Sequence, residues 1–276
     1  MMKTFTEKET KIFYNEDDKI YRSFWDKKGN LHWGYFPQNN ISFSEAMIKL
    51  NEKMLRLSKI DKESIVLDFG CGNGINSLYI HQKTGAEVAG IDLSDIRIEN
   101  ARKNLTKNNR NKIHFLRSSG TKLKFKDSTF THVWSQAAIY HMHDKKRALA
   151  EVYRVLENGG FFVFDDLIKP KKKVSKEAEK LIYERLLFDT DYSFKSYQKE
   201  LEKMGFEVVH AEDLSKHLAL SYQKLAELLE KKIKKGGNKP LHEKYRKLIE
   251  AYKKMNKFVR KGDVGWALYL AKKKNA

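Results

Sequence analysis

Two carboxylates and a glycine loop give this chain its clearest chemistry. Asp68 precedes Gly70, Gly72 and Gly74 in the stretch DFGCGNG, and Asp92 follows near the end of AEVAGIDL. Glycines at this spacing let the backbone take positive φ and let a ligand lie directly against it. A dinucleotide loop reads G-x-G-x-x-G, with a pyrophosphate on the helix N-terminus. Here the pattern is G-x-G-x-G, and Ile75 stands where the third glycine of that loop would fall. An acid at Asp68 repels a phosphate and suits an ammonium group, whereas an acid at Asp92 is placed to accept both hydroxyls of a ribose. The predicted ligand therefore has a ribose, a cationic amino group and no phosphate. A glycine turn that binds nothing would leave both acids unexplained, and a nicotinamide site would leave Asp68 facing a phosphate. A second cluster lies at Tyr140 and His141, because a histidine with an ordinary pKa of about 6.5 can accept or relay a proton from a nucleophile.

Positioning these groups requires parallel strands that end at one edge. Ile65, Val66 and Leu67 form the short apolar run of a strand covered on both faces. A second strand ends at Asp92, and Ser94 is an N-cap candidate for a helix through Asn104. Further strands are predicted at residues 112–117, 130–135, 161–165, 206–211 and 264–271. Helices are predicted at 145–156, broken by Glu157-Asn158-Gly159-Gly160, and at 175–188, 193–204 and across 214–260. This alternation predicts an α/β fold, a doubly wound, seven-stranded, mostly parallel sheet of Rossmann-like type. Residues 1–57 read as a helical arm or lid, with Ile12, Phe13, Ile20, Tyr21, Phe24 and Trp25 on one face and a second helix at 45–57 capped by Ser42 or Ser44. Residues 58–276 then form the ligand-binding domain, with a helical cap at about 212–262 inserted before the last strand. Ligands of such sheets sit beyond the carboxyl ends of the strands, where Asp68, Asp92, Ser119, residues 135–141, Asp165 and Asp166 would converge.

Composition removes several classes. Among 276 residues there is one cysteine, Cys71, inside the glycine loop, which excludes an intramolecular disulfide and a cysteine-based zinc site. His141 and His143 have no further ligands at a recognisable spacing, so no metal site is expected. No apolar run approaches the ~20 residues of a membrane span, and the N-terminus lacks the apolar centre of a signal peptide; a cytoplasmic protein is the expectation. The formal charge of +19 raises nucleic acid as a partner, but the lysines are spread through the chain and mixed with glutamates, and only 231–261 is basic enough to form a patch.

A ribose, an ammonium and no phosphate describe S-adenosylmethionine (SAM), and with DFGCGNG and Asp92 the sequence resembles the class I SAM-dependent methyltransferases. That pattern usually carries an acid for the adenine amino group after the third strand; Arg117-Ser118-Ser119-Gly120 has none, which leaves the Ser119 hydroxyl. Tyr14-Asn15-Glu16-Asp17-Asp18, Tyr21, Phe24-Trp25 and Leu31-His32-Trp33-Gly34-Tyr35 resemble the N-terminal arm of the sarcosine and dimethylglycine methyltransferases. Trp134-Ser135-Gln136 leading to His141, and the acid-free Ser119 position, are similar to the same group. Asp213-Leu214-Ser215, Ser221-Tyr222 and Gly265-Trp266 resemble the cap and last strand of this group and of the tocopherol-type methyltransferases. The resemblance implies that Asp68, Gly70, Cys71, Gly72, Asp92, Leu93, Ser119 and Ser135 hold SAM, with Tyr14 and Trp25 closing over its methionine end. It implies that His141 and Tyr140 face the acceptor, and that Tyr21, Arg22, His32, Tyr222 and Trp266 wall it, Arg22 pairing with an acceptor carboxylate. Methyl transfer is an in-line displacement, so the protein must align two reactants and exclude water, without a metal. The expected acceptor is a small molecule, first the nitrogen of an amino acid or related amine, second a carbon or oxygen of a prenylated, lipid-like ring. RNA ranks lower, because Ser135-Gln136-Ala137-Ala138 lacks the N-P-P-Y or D-P-P-Y that orients a base amine.

Overall fold

The apolar run at Ile65 becomes β1 (Ile65–Phe69), which is buried beyond its first residue. It is followed by β2 (Glu87–Asp92), β3 (Ile113–Arg117), β4 (Phe130–Gln136), β5 (Leu156–Ile168), β6 (Phe206–Asp213) and β7 (Gly265–Lys273). This computed structural model describes residues 5–187, 192–236 and 239–275, and the side chains of residues 16–18 and of Lys239 lie outside that description. The first four residues of the arm, and Phe188 at the expected end of the 175–188 helix, also fall outside it.

The strands form one seven-stranded sheet in the order β3-β2-β1-β4-β5-β7-β6. Only β7 runs antiparallel to its neighbours β5 and β6. The doubly wound, mostly parallel sheet is thus as expected. The order reverses between β1 and β4, which pair directly, and that reversal opens a crevice at the strands' carboxyl ends.

Side-chain caps start the helices where the sequence offers them. Thr6 and Glu9 form a capping box for α1 (Glu7–Phe24), and Ser42, not Ser44, caps α2 (Phe43–Ser58) in a box with Glu45. The glycine loop leads into α3 (Ile75–Thr84). Ser94 caps α4 (Asp95–Lys103) as predicted, and Asp144 caps α5 (Lys145–Val155). After β5 come α6 (Lys176–Ala178), which continues as a π-helix at Glu179–Glu184, and α7 (Phe194–Lys203). The helical text across 214–260 resolves into α8 (Ser215–Lys234) and α9 (His242–Lys261).

One expectation is corrected by pairing. Residues 157–160 do not end the fourth connection as a free turn: β5 begins at Leu156, opposite Phe130, and its register shifts before His132 meets Phe161. Gly159 at φ +80° absorbs the shift, a bulge that glycine permits at little cost.

Apolar side chains fill both faces of the sheet. One layer joins α2 through Leu50 and Met54 to Trp134, Tyr222, Tyr252 and Trp266. The other joins Leu149, Val152 and Leu201 to Phe162 and Phe164. Ala46, Leu50 and Met54 of α2 are wholly buried, so α2 is part of the main core, while α1 and the following strap cross the crevice.

Candidate active site

The crevice is a cavity of about 1450 Å³, its open mouth included, and is lined from the glycine loop, the strand ends, α1, the strap and the α8–α9 pair. Gly70 and Gly72 take φ +81° and +53°. At Gly70 a Cβ would lie 2.4 Å from that of Ala138, whereas at Gly72 it would meet only Arg97 at 3.8 Å and project into open space. That space is a cradle a side chain would fill. Beside it, Asp92 accepts Gly72 N–H at 3.0 Å on Oδ2 and Ser94 N–H at 2.8 Å on Oδ1. Each carboxylate oxygen is thereby oriented by one backbone amide and keeps a lone pair for one of two vicinal hydroxyls. The residues fit a ribose on this observation.

Asp68 lies one layer behind the lining. It is 2% exposed, accepts the Ser77 hydroxyl at 2.5 Å, and burial pushes its pKa up to about 7. Its bond to Ser77 ties β1 to α3 beneath the loop. Cys71 lines the cavity, with its thiol pKa raised by burial, and Leu93 lines it beside Asp92.

The other half of the cavity is aromatic. Tyr14 of α1 hydrogen-bonds His141 Nε2 and meets that ring edge-on, at 4.9 Å between centroids. The Arg97 guanidinium lies 3.9 Å from the centre of the Tyr14 ring, a cation–π pair between α1 and α4. Burial, then the Arg97 charge, lowers the His141 pKa to about 3. In this arrangement His141 is neutral at pH 7 and forms a hydrogen-bonding wall; it does not act as a proton sink. Tyr140 packs on it at 3.8 Å, and Tyr140 N–H donates to Asp166 at 3.0 Å. Burial pushes Asp165 up to about 7 and Asp166 up to about 8, and Asp165 accepts the Trp266 indole N–H at 2.7 Å. These two acids support the wall from behind.

His32 Nδ1 faces the Trp33 carbonyl at 2.8 Å, so Nδ1 carries the proton and donates it; burial lowers this histidine's pKa to about 4. Trp25 donates its indole N–H to the His32 carbonyl at 3.2 Å. Tyr21, Trp25, Tyr222 and Tyr252 enclose one end of the cavity, and the half-buried Arg185 reaches that end from the π-helix. Burial works against the Arg185 charge, but Tyr21, Tyr252 and Tyr222 oppose it, and the net pKa lies above the ordinary arginine value. The Arg185 N–H bonds the Lys180 carbonyl, five residues back, so the wide turn sets where this side chain emerges.

Of the residues expected at the site, Tyr14, Tyr21, Trp25, His32, Gly70, Cys71, Gly72, Asp92, Leu93, Tyr140, His141 and Tyr222 line the cavity together, while Asp68, Ser119, Ser135, Arg22 and Trp266 do not. Ser119 donates to Glu7 of α1, which itself lines the cavity, and Ser135 donates to the Phe69 carbonyl at 2.9 Å. Arg22 donates to the Lys27 carbonyl at 3.2 Å, at the surface. Trp266 stands behind Trp33 at 5.8 Å. Sequence reasoning missed Arg97 and Arg185. Arg97 had a signal: its N–H is the one capped by Ser94, which fixes it on the first turn after Asp92. Arg185 had none, because its direction depends on a π-turn that periodicity does not reveal. Among the described residues no group of acids, histidines and cysteine is arranged to hold a metal, and no helix is long and apolar enough to cross a membrane.

Comparison with known proteins places this geometry. Residues 67–164 match the family described as methyltransferase domain. The 27-O-demethylrifamycin SV methyltransferase of Amycolatopsis mediterranei is 28% identical, over 80% of this chain and 84% of its own length. The sarcosine/dimethylglycine N-methyltransferase of Halorhodospira halochloris is 27% identical, over 80% of each chain. Phosphoethanolamine N-methyltransferase 2 of Haemonchus contortus, solved with phosphomonomethylethanolamine and S-adenosylhomocysteine, superposes with a TM-score of 0.81 at 17% identity, covering 99% of this chain and 61% of that one. The methyltransferase match spans the strand, the glycine loop and the acid that frame the cavity, and the chain is a class I, SAM-dependent methyltransferase.

Proposed function

We propose that this enzyme methylates the nitrogen of a small amino acid or related amine, of the glycine, sarcosine and dimethylglycine kind. Arg185 carries the reading: a guanidinium held at the aromatic end of the cavity is a ready partner for an acceptor carboxylate. The rings of Tyr21, Trp25, Tyr222 and Tyr252 around it suit the adjoining cationic or methylated amine. The name of the Halorhodospira relative points the same way. SAM supplies the electrophilic methyl group. In this reading Gly70, Gly72 and Asp92 hold the cofactor, and Arg97 and Tyr14 fasten α1 across it as a lid. Tyr140 and His141 fix the acceptor's approach and exclude water. The amine must give its proton to bulk water before it enters the closed site, since a protonated nitrogen has no lone pair to offer and the neutral His141 does not take the proton.

A second reading is methylation of carbon or oxygen on a lipid-like acceptor. Phe13, Leu31, Met142 and Leu186 add apolar wall to the same cavity, and the Amycolatopsis relative is named for O-methylation. A panel of glycine, sarcosine, dimethylglycine, phospho-bases and prenyl quinols, followed by S-adenosylhomocysteine release, separates the two. Turnover of a carboxylate-bearing amine is the expected result. Turnover of a quinol with none of the amines refutes the first reading.

A further inference from the structure

We propose that Asn73 latches the acceptor wall to the cofactor loop, so that filling the ribose site and closing the wall are coupled events. The proposal goes beyond the choice of acceptor and holds for either reading above.

Asn73 sits between Gly72 and Gly74, next to the amide that binds Asp92. Its exposure is 1%, unusual for an asparagine. Burial of a carboxamide is tolerated only when its polar atoms are paired, and here they are. Asn100 of α4 donates to Asn73 Oδ1 at 2.9 Å, and Asn104 donates to the Asn73 carbonyl at 3.2 Å. With Oδ1 committed to α4, the amide Nδ2 is directed at the strap, where it donates to the Gly29 carbonyl at 3.1 Å.

The strap is shaped to receive it. Gly29 takes φ +86°, and a Cβ there would lie 2.3 Å from Asn73 Nδ2 and 2.8 Å from its Cγ. The Asn73 side chain is pinned by Asn100 and cannot yield, so glycine is required on both counts. The turn is fixed from within as Gly29 N–H donates to the Asp26 carbonyl at 2.9 Å and Asn30 N–H donates to Asp26 Oδ1 at 3.1 Å. Directly after it, Asn30, Leu31, His32 and Trp33 form one side of the cavity. The far end of the strap is tied to α8, where Gly34 N–H donates to Ser221 at 3.0 Å and Phe36 N–H donates to His217 at 3.2 Å. The wall is therefore anchored to the helical pair at one end and to the cofactor loop, through Asn73, at the other.

The loop already presents Nδ2 to Gly29, and a ligand resting on Asp92 and Gly72 would hold it in that geometry. Coupling of this kind is reciprocal and amounts to about 5- to 150-fold between two sites. Asn73 is a positioning residue, acting on the acceptor through the strap.

The test uses the full chain, S-adenosylhomocysteine as the probe, calorimetry for its affinity and hydrogen exchange across residues 26–36 for the wall. In the wild type, saturating probe should slow exchange of this segment by about fivefold or more. In Asn73→Ala the probe should still bind, weaker than in wild type by about the same factor as the slowing that is lost, and the slowing should fall below about twofold. Gly29→Ala leaves the cofactor loop intact and should uncouple the wall in the same way, which decides the matter if Asn73→Ala does not fold. The proposal is overturned if either variant keeps the wild-type slowing, or if the wild type binds the probe without any slowing. Failure of the wild type to bind the probe at all would instead overturn the cofactor assignment.

Discussion

Replacing Asp92 by asparagine tests the cofactor site at its most constrained point. The native carboxylate presents one oxygen to Gly72 N–H at 3.0 Å and the other to Ser94 N–H at 2.8 Å. An asparagine amide has a single oxygen, so in either orientation its NH₂ faces a backbone N–H and cannot pair with it. One ribose hydroxyl then loses a charged acceptor, a loss of about 1.5–3 kcal/mol, and the donor facing the NH₂ is left unsatisfied as well. The first effect alone weakens binding by about 10- to 150-fold, at 1.4 kcal/mol for each factor of ten. Calorimetric titration with S-adenosylhomocysteine measures this directly, with circular dichroism as a check that the sheet is intact. Affinity within threefold of wild type in a folded Asp92→Asn protein would refute the placement of the ribose.

Other perturbations probe the rest of the site. His141→Ala should lower kcat while leaving cofactor affinity nearly unchanged, and should not remove any limb of the pH–rate profile between pH 6 and 7, because burial holds this histidine's pKa near about 3; loss of such a limb would make His141 the proton acceptor. Tyr14→Phe removes the bond to His141 but keeps the ring under Arg97, so a roughly tenfold loss in kcat/KM is expected, and unchanged kinetics would show that the arm does not order the acceptor wall. Asp165 is raised from 3.8 to about 7, so the folded state binds its proton more tightly than the unfolded state and this residue costs stability as pH rises from about 4 to about 7. Relative to wild type, Asp165→Asn should therefore gain on the order of 3 kcal/mol between pH 4 and pH 8 in urea unfolding, and a difference that stays constant with pH would mean that Asp165 is ionised throughout. Removing residues 1–14 should lower turnover and spare the sheet, whereas a deletion through residue 36 takes away Phe24, Trp33 and Phe36, each at most 5% exposed, and should unfold the protein. A fully active 1–14 deletion would contradict the role of α1 as a lid.

The parallel core of the fold was legible because local signals agreed with tertiary demands. The apolar run at Ile65 and the cap at Ser94 each have one local reading, and the α2 cap was narrowed to Ser42 or Ser44. Asp92 and Gly72 reach the cavity as expected, since they are fixed by the strand and turn that carry them. The acceptor half was only partly legible. Side-chain type suggested Arg22 as a carboxylate partner, but Arg22 turns to the Lys27 carbonyl while Arg185, from a distant π-turn, reaches the cavity. Ser119 and Ser135 stand at the correct strand ends but outside the cavity lining, with their hydroxyl protons donated to Glu7 and to the Phe69 carbonyl. Strand position was predictable from pattern; the direction of a hydroxyl depends on partners brought in from elsewhere. The long β5 was hidden because Gly159 and Gly160 look like a turn, and only pairing with β4 reveals a bulge.

Selection of a carboxylate-bearing amine by Arg185 is read from kcat/KM for sarcosine and for its neutral amide, in the wild type and in Arg185→Met. The wild type should prefer the carboxylate by about 100-fold, the size of one hydrogen bond between charged groups, and the variant by only a few-fold. An equal preference in both proteins, or none in the wild type, would contradict it.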